Sequence, residues 1–391
     1  MLELETYSKN KYRRALREAV KRLDPIGVEA RTRGQMRKRG QFMVKGPNRV
    51  WSIDGHDKLS RFGFQIYAAI DAYSRYIVWC YIGHSNRTAV SVNKQYLTTV
   101  SSTQIVPKLI RSDKGGETTL LCNSHLSLRR ASNSQLPLAK AYSYGTSTKN
   151  QRIESWWNLL ANAQTDTWRN LFTDFERQGY FDGGSIDIIC LQFIYMKMIR
   201  THVQTFVQVH NTHRIRRQRN REHYLPTGQP CQLYHYPPDG VKDYGSVPNP
   251  DILTALEQQV AAYDLDQYLT ENTQLQCCQL LLARDFPTEF SFDEKHQEAY
   301  IFLRQAVSQY VENGGKNIVI LEPPVGAEEW IALQQRYEQE EGGPPVEFRL
   351  DLTDDEEEQL FEEDKIFDAD EEEDDEKLSE DVLDDGFILN I

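Results

Sequence analysis

Three carboxylates in this sequence stand next to stretches that are suited to burying apolar side chains. Asp54 ends the run "VWSID", Asp113 ends "LIRSD", and Glu154 lies near the start of "NQRIESWWNLL". Carboxylates that lie close together repel one another, which raises their pKa values. A divalent cation between them removes this repulsion, because Mg²⁺ takes oxygen ligands from a few carboxylates, water and phosphate groups. The three residues therefore point to metal-dependent phosphoryl transfer, in which two ions about 3.5–4 Å apart support an in-line displacement.

Each carboxylate also has an ordinary structural explanation. An Asp at the end of a strand often stabilises a turn, and a Glu in the first turn of a helix favours the helix dipole. The order of the three residues is more informative than any one of them. Asp54 ends the first predicted strand, Asp113 ends the fourth, and Glu154 follows on a helix 41 positions after Asp113. Glu117, in "GGET", is either an extra ligand or a polar loop residue, and we interpret it as the latter.

The elements that must position these groups can be predicted from the apolar pattern. Three strands are predicted in "VWSID", "GFQIYAAIDA" and "RYIVWCYIG", followed by a helix in "TAVSVNKQYLTTV" and a fourth strand in "PKLIRSD". A polar segment then extends to about residue 148. This order predicts an α/β fold, with a mixed sheet and flanking helices.

A helix is predicted to begin near Asn150, and its spacing defines one apolar face made of Ile153, Trp156, Trp157 and Leu160. Glu154 stands about one hundred degrees from Ile153, at the edge of that face. The two tryptophans are most simply explained as core packing, although one ring could line the site. The helix therefore anchors itself in the core while Glu154 projects towards the end of the sheet.

Charge is unevenly distributed along the 391 residues, whose formal net charge is −13. Residues 351–391 hold 21 acidic residues against Lys365 and Lys377, a net of −19, so residues 1–350 carry +6. Residues 9–49 hold 14 Lys and Arg against three acidic residues. We expect a basic arm or helix over residues 1–44, an α/β core that holds the three carboxylates over 45–240, a helix-rich region over 245–350 and a disordered acidic tail over 351–391.

No stretch approaches the roughly 20 apolar residues of a membrane span, so we expect a protein without a membrane segment. The six cysteines include no CxxC pair, which argues against a common zinc module. The cluster "RKR" at residues 37–39 is weakly compatible with nuclear import.

The ordered motifs "VWSIDGHDKL", "YAAIDAYSRYIV", "LIRSDKGGET" and "NQRIESWW" resemble the catalytic core of retroviral-type integrases and related DDE transposases. The forms "DGHDKL" and "RIESWW" are most similar to integrase-core proteins of transposon origin in eukaryotes. The resemblance implies a ribonuclease-H-like fold and assigns Asp54, Asp113 and Glu154 as ligands of two Mg²⁺ or Mn²⁺ ions. It implies cleavage of DNA 3′ ends and strand transfer without a covalent protein–DNA intermediate. Asp71, in "AIDAYSR", matches a recurring acidic position that we interpret as structural.

The implied partners are transposon ends and target DNA, bound by a homo-oligomer in the nucleus. Basic residues near Glu154 and after the predicted helices are expected to contact phosphates: Lys149, Arg152, Arg214, Arg216, Arg217 and Arg219. The acidic tail is a possible binding site for a basic protein, or a solubilising segment.

The sequence departs from retroviral integrases in its histidines and cysteines, because no cysteine precedes Cys80 and no His/Cys zinc pattern precedes the core. This leaves a second hypothesis open, in which the chain is a domesticated DNA-binding or scaffold protein whose catalytic site is idle.

Overall fold

The computed structural model describes residues 22–23, 44–84, 88–113, 116–145, 150–216, 226–292 and 295–321. Residues 44–321 of this set belong to one compact unit, Val44–Glu362 with Leu389–Ile391, and the description below is of that unit. The basic arm up to residue 43, apart from Arg22 and Leu23, lies outside the described residues, and so does the acidic tail.

Five strands form one mixed sheet in the order β3-β2-β1-β4-β5. Strands β1, β2 and β3 pair antiparallel, whereas β4 pairs parallel to β1 and β5 pairs parallel to β4. The strands are β1 (Val50–His56), β2 (Gln65–Asp71), β3 (Ile77–Gly83), β4 (Leu109–Asp113) and β5 (Tyr142–Gly145).

Nine helices accompany the sheet within the described residues. They are α1 (Ala89–Thr103), α2 (Thr119–Arg130), α3 (Gln151–Leu160), α4 (Asp166–Arg177), α5 (Ser185–Thr212), α6 (Pro230–His235), α7 (Pro250–Gln259), α8 (Glu271–Leu282) and α9 (His296–Glu312). A π-helical turn, Ala161–Thr165, joins α3 to α4. None of the helices described here combines the length and the apolar character that a membrane span requires.

The sheet separates two apolar layers because successive strand residues point to opposite faces. On one face, Trp51 and Ile53 of β1 pack with residues of α1, α2 and α7. On the other face, Ile66, Ala68 and Ile70 of β2 pack with α3, α4 and α5. The strand order, with β2 antiparallel to the other four strands, and the helices on both faces make this a ribonuclease-H-like α/β fold, as the resemblance implies.

The sheet has one strand more than the four that the sequence predicts. The segment expected to be polar up to residue 148 contains α2 and the short strand β5. Strand β5 adds a fifth, parallel edge strand next to β4, with Ile110 opposite Tyr142 and Asp113 opposite Gly145.

The helix-rich C-terminal region is present as α7, α8 and α9. Helices α8 and α9 contribute Cys277, Leu281, Tyr300, Leu303 and Val307 to the same apolar cluster that holds α5 against β2. The residues described after β5 thus continue the core of the sheet, while the domain boundary near residue 240 stays a prediction.

Candidate active site

Asp54 of β1 lies on the face of the sheet that α3 covers. Trp51 and Ile53 belong to the apolar cluster on the opposite face, so the alternation of a strand places Asp54 on the α3 face. Asp54 lies opposite Ala68 of β2 in the antiparallel pairing and is partly buried.

Asp113 is the last residue of β4, the parallel neighbour of β1, and it lies at the same height along the sheet as Asp54. The last paired residues of β1 and β4 are Ser52 and Arg111. Asp54 lies two residues after Ser52, and Asp113 lies two residues after Arg111. Because residues two apart in a strand share a face and adjacent strands lie about 4.7–4.9 Å apart, the two carboxylates project side by side from one face.

Helix α3 adds Glu154 to the two aspartates. The Asn150 side chain, which is 2% exposed, donates a hydrogen bond of 3.0 Å from Nδ2 to the carbonyl oxygen of Ile53, so the N-terminus of α3 is tied to β1. The Asn150 side chain also lies near Asp113 and lowers the pKa of that carboxyl, against the effect of burial. The predicted apolar face of α3 is confirmed, because Ile153, Trp156, Trp157 and Leu160 are all buried, and Glu154 is left at its edge, partly exposed.

The three carboxylates influence one another electrostatically, so the structure brings together the residues that the sequence singled out. Burial raises the pKa of Asp54 to about 7; Asp113 and Glu154 add to this rise, and a hydrogen bond from Trp157 opposes it. Burial raises the pKa of Asp113. Burial, and then the nearby Asp113, raise the pKa of Glu154, while Lys58 lowers it.

The donor set suits hard divalent cations. Oδ1 of Asp113 is buried and has no hydrogen-bond partner among the described residues, which is an unusual state for a buried oxygen. Within the same residues, no group of three Asp, Glu, His or Cys side chains is arranged to hold a metal ion. Mg²⁺ is commonly held by one or two carboxylates together with water and substrate phosphates. The arrangement therefore fits ions shared between pairs of carboxylates and substrate, not a closed three-ligand cage.

Two aromatic residues lie next to the triad: Trp157, which the sequence assigned to core packing or to the lining of the site, and His56, to which it assigned no role. Trp157 donates a hydrogen bond of 2.9 Å from Nε1 to Oδ2 of Asp54. His56 stacks on the Trp157 ring, with the ring centroids 4.8 Å apart. The spacing of Trp157, three residues after Glu154, was the available signal, because residues i and i+3 are neighbours on a helix surface.

Two polar residues of the loops also border the site. Lys58 is exposed, follows β1 directly in the 3₁₀ turn Asp57–Phe62, and acts electrostatically on Glu154. Glu117 lies in the 3₁₀ turn Gly116–Thr118, where burial and the charge of Asp113 raise its pKa. Its position beside Asp113 fits either of the two roles considered for it.

The predicted DNA-binding residues fall into two groups. Arg152 lies in the first turn of α3, on the same helix as Glu154, and Arg214 and Arg216 are exposed just after α5. Lys149, Arg217 and Arg219 lie outside the described residues. Phosphate contact by any of the six stays a prediction.

A mixed five-stranded sheet in the order β3-β2-β1-β4-β5, with helices on both faces, is the architecture of the ribonuclease-H-like class, to which integrases and transposases belong. A family model described as an integrase core domain matches residues 41–236, which is 196 of the 391 residues. The chain belongs to this family, and the matched region is a retroviral-type integrase catalytic core of the polynucleotidyl transferase type. No curated protein matches the chain.

Proposed function

We propose that this protein is a metal-dependent polynucleotidyl transferase that cleaves DNA 3′ ends and transfers them to target DNA. The observation that supports the proposal is the placement of Asp54 and Asp113 at one level of two adjacent parallel strands, with Glu154 beside them. Beyond the effect of burial, Asp113 raises the pKa of both Asp54 and Glu154. Partly buried carboxylates this close together are costly to keep, and such clusters are typical of functional sites.

In this proposal Asp54, Asp113 and Glu154 hold two Mg²⁺ or Mn²⁺ ions. When bound, such ions activate an attacking oxygen and stabilise the leaving oxygen of a phosphodiester. The protein's own groups do the positioning: Asn150 ties α3 to β1 and lies near Asp113, so that the acidic residues from a helix and two strands keep a fixed relation. Lys58 is exposed beside Glu154 and is suited to binding a phosphate of the substrate.

The substrates in this proposal are transposon ends and target DNA, bound by a homo-oligomer in the nucleus. Arg152, Arg214 and Arg216 supply phosphate contacts, because Arg forms charge-assisted hydrogen bonds with phosphate oxygens. Lys149, Arg217 and Arg219 are proposed for the same role from the sequence.

A second candidate function is a DNA-binding protein whose site is catalytically idle. It is favoured by the acidic tail, because residues 351–391 carry a net charge of −19 that suits a basic protein partner and has no role in phosphoryl transfer. It predicts DNA binding without any metal-dependent product.

DNA-end cleavage and strand joining by the wild type and Asp113→Asn, measured beside DNA affinity, separate the two functions. We expect joined products that require Mg²⁺ or Mn²⁺, and their loss in Asp113→Asn without a comparable loss of DNA binding. Binding of equal strength with no products from the wild type, on substrates carrying its own transposon ends, would favour the idle protein. Nicks without joined products would indicate a simple nuclease.

A further inference from the structure

One carboxylate of the site, Asp54, accepts a hydrogen bond from an aromatic side chain, and the backbone of Gly55 also stabilises its charged form. Trp157 Nε1 lies 2.9 Å from Asp54 Oδ2, and Trp157 is buried on the inner face of α3. An indole N–H can only donate, and it points in one fixed direction from a rigid ring. The bond therefore fixes the rotation of the Asp54 carboxylate as long as the ring itself is fixed.

The ring of Trp157 is held chiefly by His56. His56 stacks on it at 4.8 Å between centroids with an interplanar angle of 19°, whereas the Trp156 ring is tilted by 49° against it and does not stack. His56 is 5% exposed and comes from β1, two residues after Asp54. Strand β1 thus supplies both the carboxylate that the indole binds and the ring that the indole stacks on.

The π-helical turn after α3 completes this arrangement. Its last residue, Thr165, is fully buried, and the Thr165 hydroxyl lies 3.3 Å from Nε2 of His56. A π turn accommodates an extra residue and so changes which face the following residues occupy; such turns are frequent at functional sites. Here it allows two residues of one continuous helical stretch, Trp157 and Thr165, to contact the same histidine.

We propose that Trp157 is a positioning residue, which holds the Asp54 carboxylate in the orientation that the metal ions require, and that His56 and Thr165 hold the Trp157 ring. The inference rests on the proposed function. It concerns a residue that touches a metal ligand, not the metal. Groups in this position orient the ligands, and their removal typically weakens metal affinity by about 10–100-fold.

The neighbouring tryptophan provides a matched control. Trp156 lies on the same helix and is 1% exposed, but its Nε1 has no hydrogen-bond partner among the described residues. Trp157→Phe removes the donor to Asp54 and keeps an aromatic ring, whereas Trp156→Phe removes an indole of similar burial that does not bind a carboxylate. Both substitutions replace a buried indole with the smaller phenyl ring, so both lose packing contacts in the core.

The test is calorimetric titration of Mn²⁺ into the full-length protein, with thermal unfolding of each variant as the measure of packing. We expect Trp157→Phe to bind Mn²⁺ at least about tenfold more weakly than the wild type, and Trp156→Phe to bind within about threefold of the wild type. Plasmid nicking by Trp157→Phe should recover at high Mn²⁺ concentration.

Wild-type affinity in Trp157→Phe would overturn the positioning role and leave the proposed function standing. Absence of Mn²⁺ binding by the wild type would overturn both. Equal weakening in the two variants would show that packing, not the hydrogen bond, is responsible.

A metal-free measurement covers the case in which Trp157→Phe does not fold. The indole Nε1–H resonances of ¹⁵N-Trp-labelled protein are compared between the wild type and Asp54→Asn, which keeps the shape of the side chain. We expect one indole resonance, that of Trp157, to shift, because its acceptor changes from a carboxylate to an amide. An unchanged set of indole resonances would contradict the proposed bond.

Discussion

Two carboxylates of this protein, Asp71 and Asp113, differ in their hydrogen-bond partners, and the difference indicates which one has a structural role. Asp71, at the end of β2, is fully buried and accepts three hydrogen bonds: from Asn48 N and Ser74 N at 2.8 Å each, and from the Ser74 hydroxyl at 2.7 Å. Asp113 is also partly buried, but its Oδ1 has no hydrogen-bond partner among the described residues. Asp71 is therefore the structural residue that the sequence suggested.

Replacing Asp71 with Asn should destabilise the fold without disturbing the site. The side-chain NH₂ of the new asparagine would face a group that also donates, because Asn48 donates to one oxygen of Asp71 and Ser74 to the other. We expect a loss of about 1–3 kcal/mol in the free energy of unfolding. Urea denaturation measures this loss. Asp239→Asn, at an exposed loop position, is the control, and an equal effect of the two substitutions would contradict the structural role.

The stability that Asp71 contributes should depend on pH. Burial raises the pKa of Asp71 to about 6, against about 3.9 in an unfolded chain. Between these values the folded protein keeps a proton that the unfolded chain has released, so the contribution of Asp71 falls as the pH rises from about 4 to about 6 and is constant above that range. Thermal unfolding of the wild type and Asp71→Asn at several pH values measures this contribution as a difference. A difference that does not change with pH would contradict the raised pKa.

At the scale of elements, an ion pair joins the C-terminal helix α9 to α5. Arg304 Nε lies 2.5 Å from Asp187 Oδ1, and the Asp187 side chain is only 3% exposed. The backbone N–H of Asp182 donates to the other oxygen of Asp187 at 2.6 Å. Loss of the arginine would leave a buried carboxylate without its counter-charge.

Arg304→Met should therefore loosen α9 strongly. Breaking a buried pair by removing one partner costs about 3–5 kcal/mol, whereas Arg177→Met breaks only the exposed pair with Asp174 and should cost about 0–1 kcal/mol. Urea denaturation gives both values, and hydrogen exchange should show the largest loss of protection in α9. Similar costs for the two variants would show that the Asp187 pair does not hold α9.

The sequence predicted several elements with a clear apolar period. It missed α4, although Trp168, Phe172 and Phe175 are buried there at helical spacing, and it missed elements without such a period. Strands β1 to β4 and helices α1 and α3 were predicted because their buried residues are apolar and regularly spaced. Helix α2 was not, because part of its inner face is polar: Ser124 and His125 are buried, and His125 Nδ1 lies 2.8 Å from the Tyr96 hydroxyl. Strand β5 has four residues, too few for an alternation to show.

The candidate site was predicted to a similar degree. Asp54, Asp113 and Glu154 were singled out from predicted strand ends and helix position, and in the structure Asp113 lies close enough to add to the rise that burial causes in the pKa values of the other two. Their role as metal ligands stays a prediction. The contacts of Trp157 and Asn150 were missed, since each depends on how α3 crosses β1. Such contacts between distant segments follow from packing and leave no local pattern.

At the scale of the whole molecule, charge opposes DNA binding. The formal net charge of the chain is −13, which is the sum of −19 on residues 351–391 and +6 on residues 1–350. Nucleic-acid affinity depends on the cations that replace counterions along the phosphates, and negative charge elsewhere on the same molecule repels the DNA.

Deletion of residues 351–391 should therefore strengthen DNA binding, by about tenfold or more at low salt. The gain should shrink as salt screens the repulsion. Fluorescence anisotropy of labelled duplex DNA, from low to high salt, measures both effects. Equal affinities of the two proteins at low salt would show that the tail does not oppose DNA.

The central claim is that three acidic residues from two strands and one helix form a working phosphoryl-transfer site. Its most direct test is nicking and joining of supercoiled plasmid in Mg²⁺ and in Mn²⁺ by the wild type, Glu154→Gln and Glu312→Gln, the last being an exposed glutamate of α9. We expect metal-dependent products from the wild type and from Glu312→Gln, and none from Glu154→Gln. Products from Glu154→Gln at the wild-type level would contradict the claim.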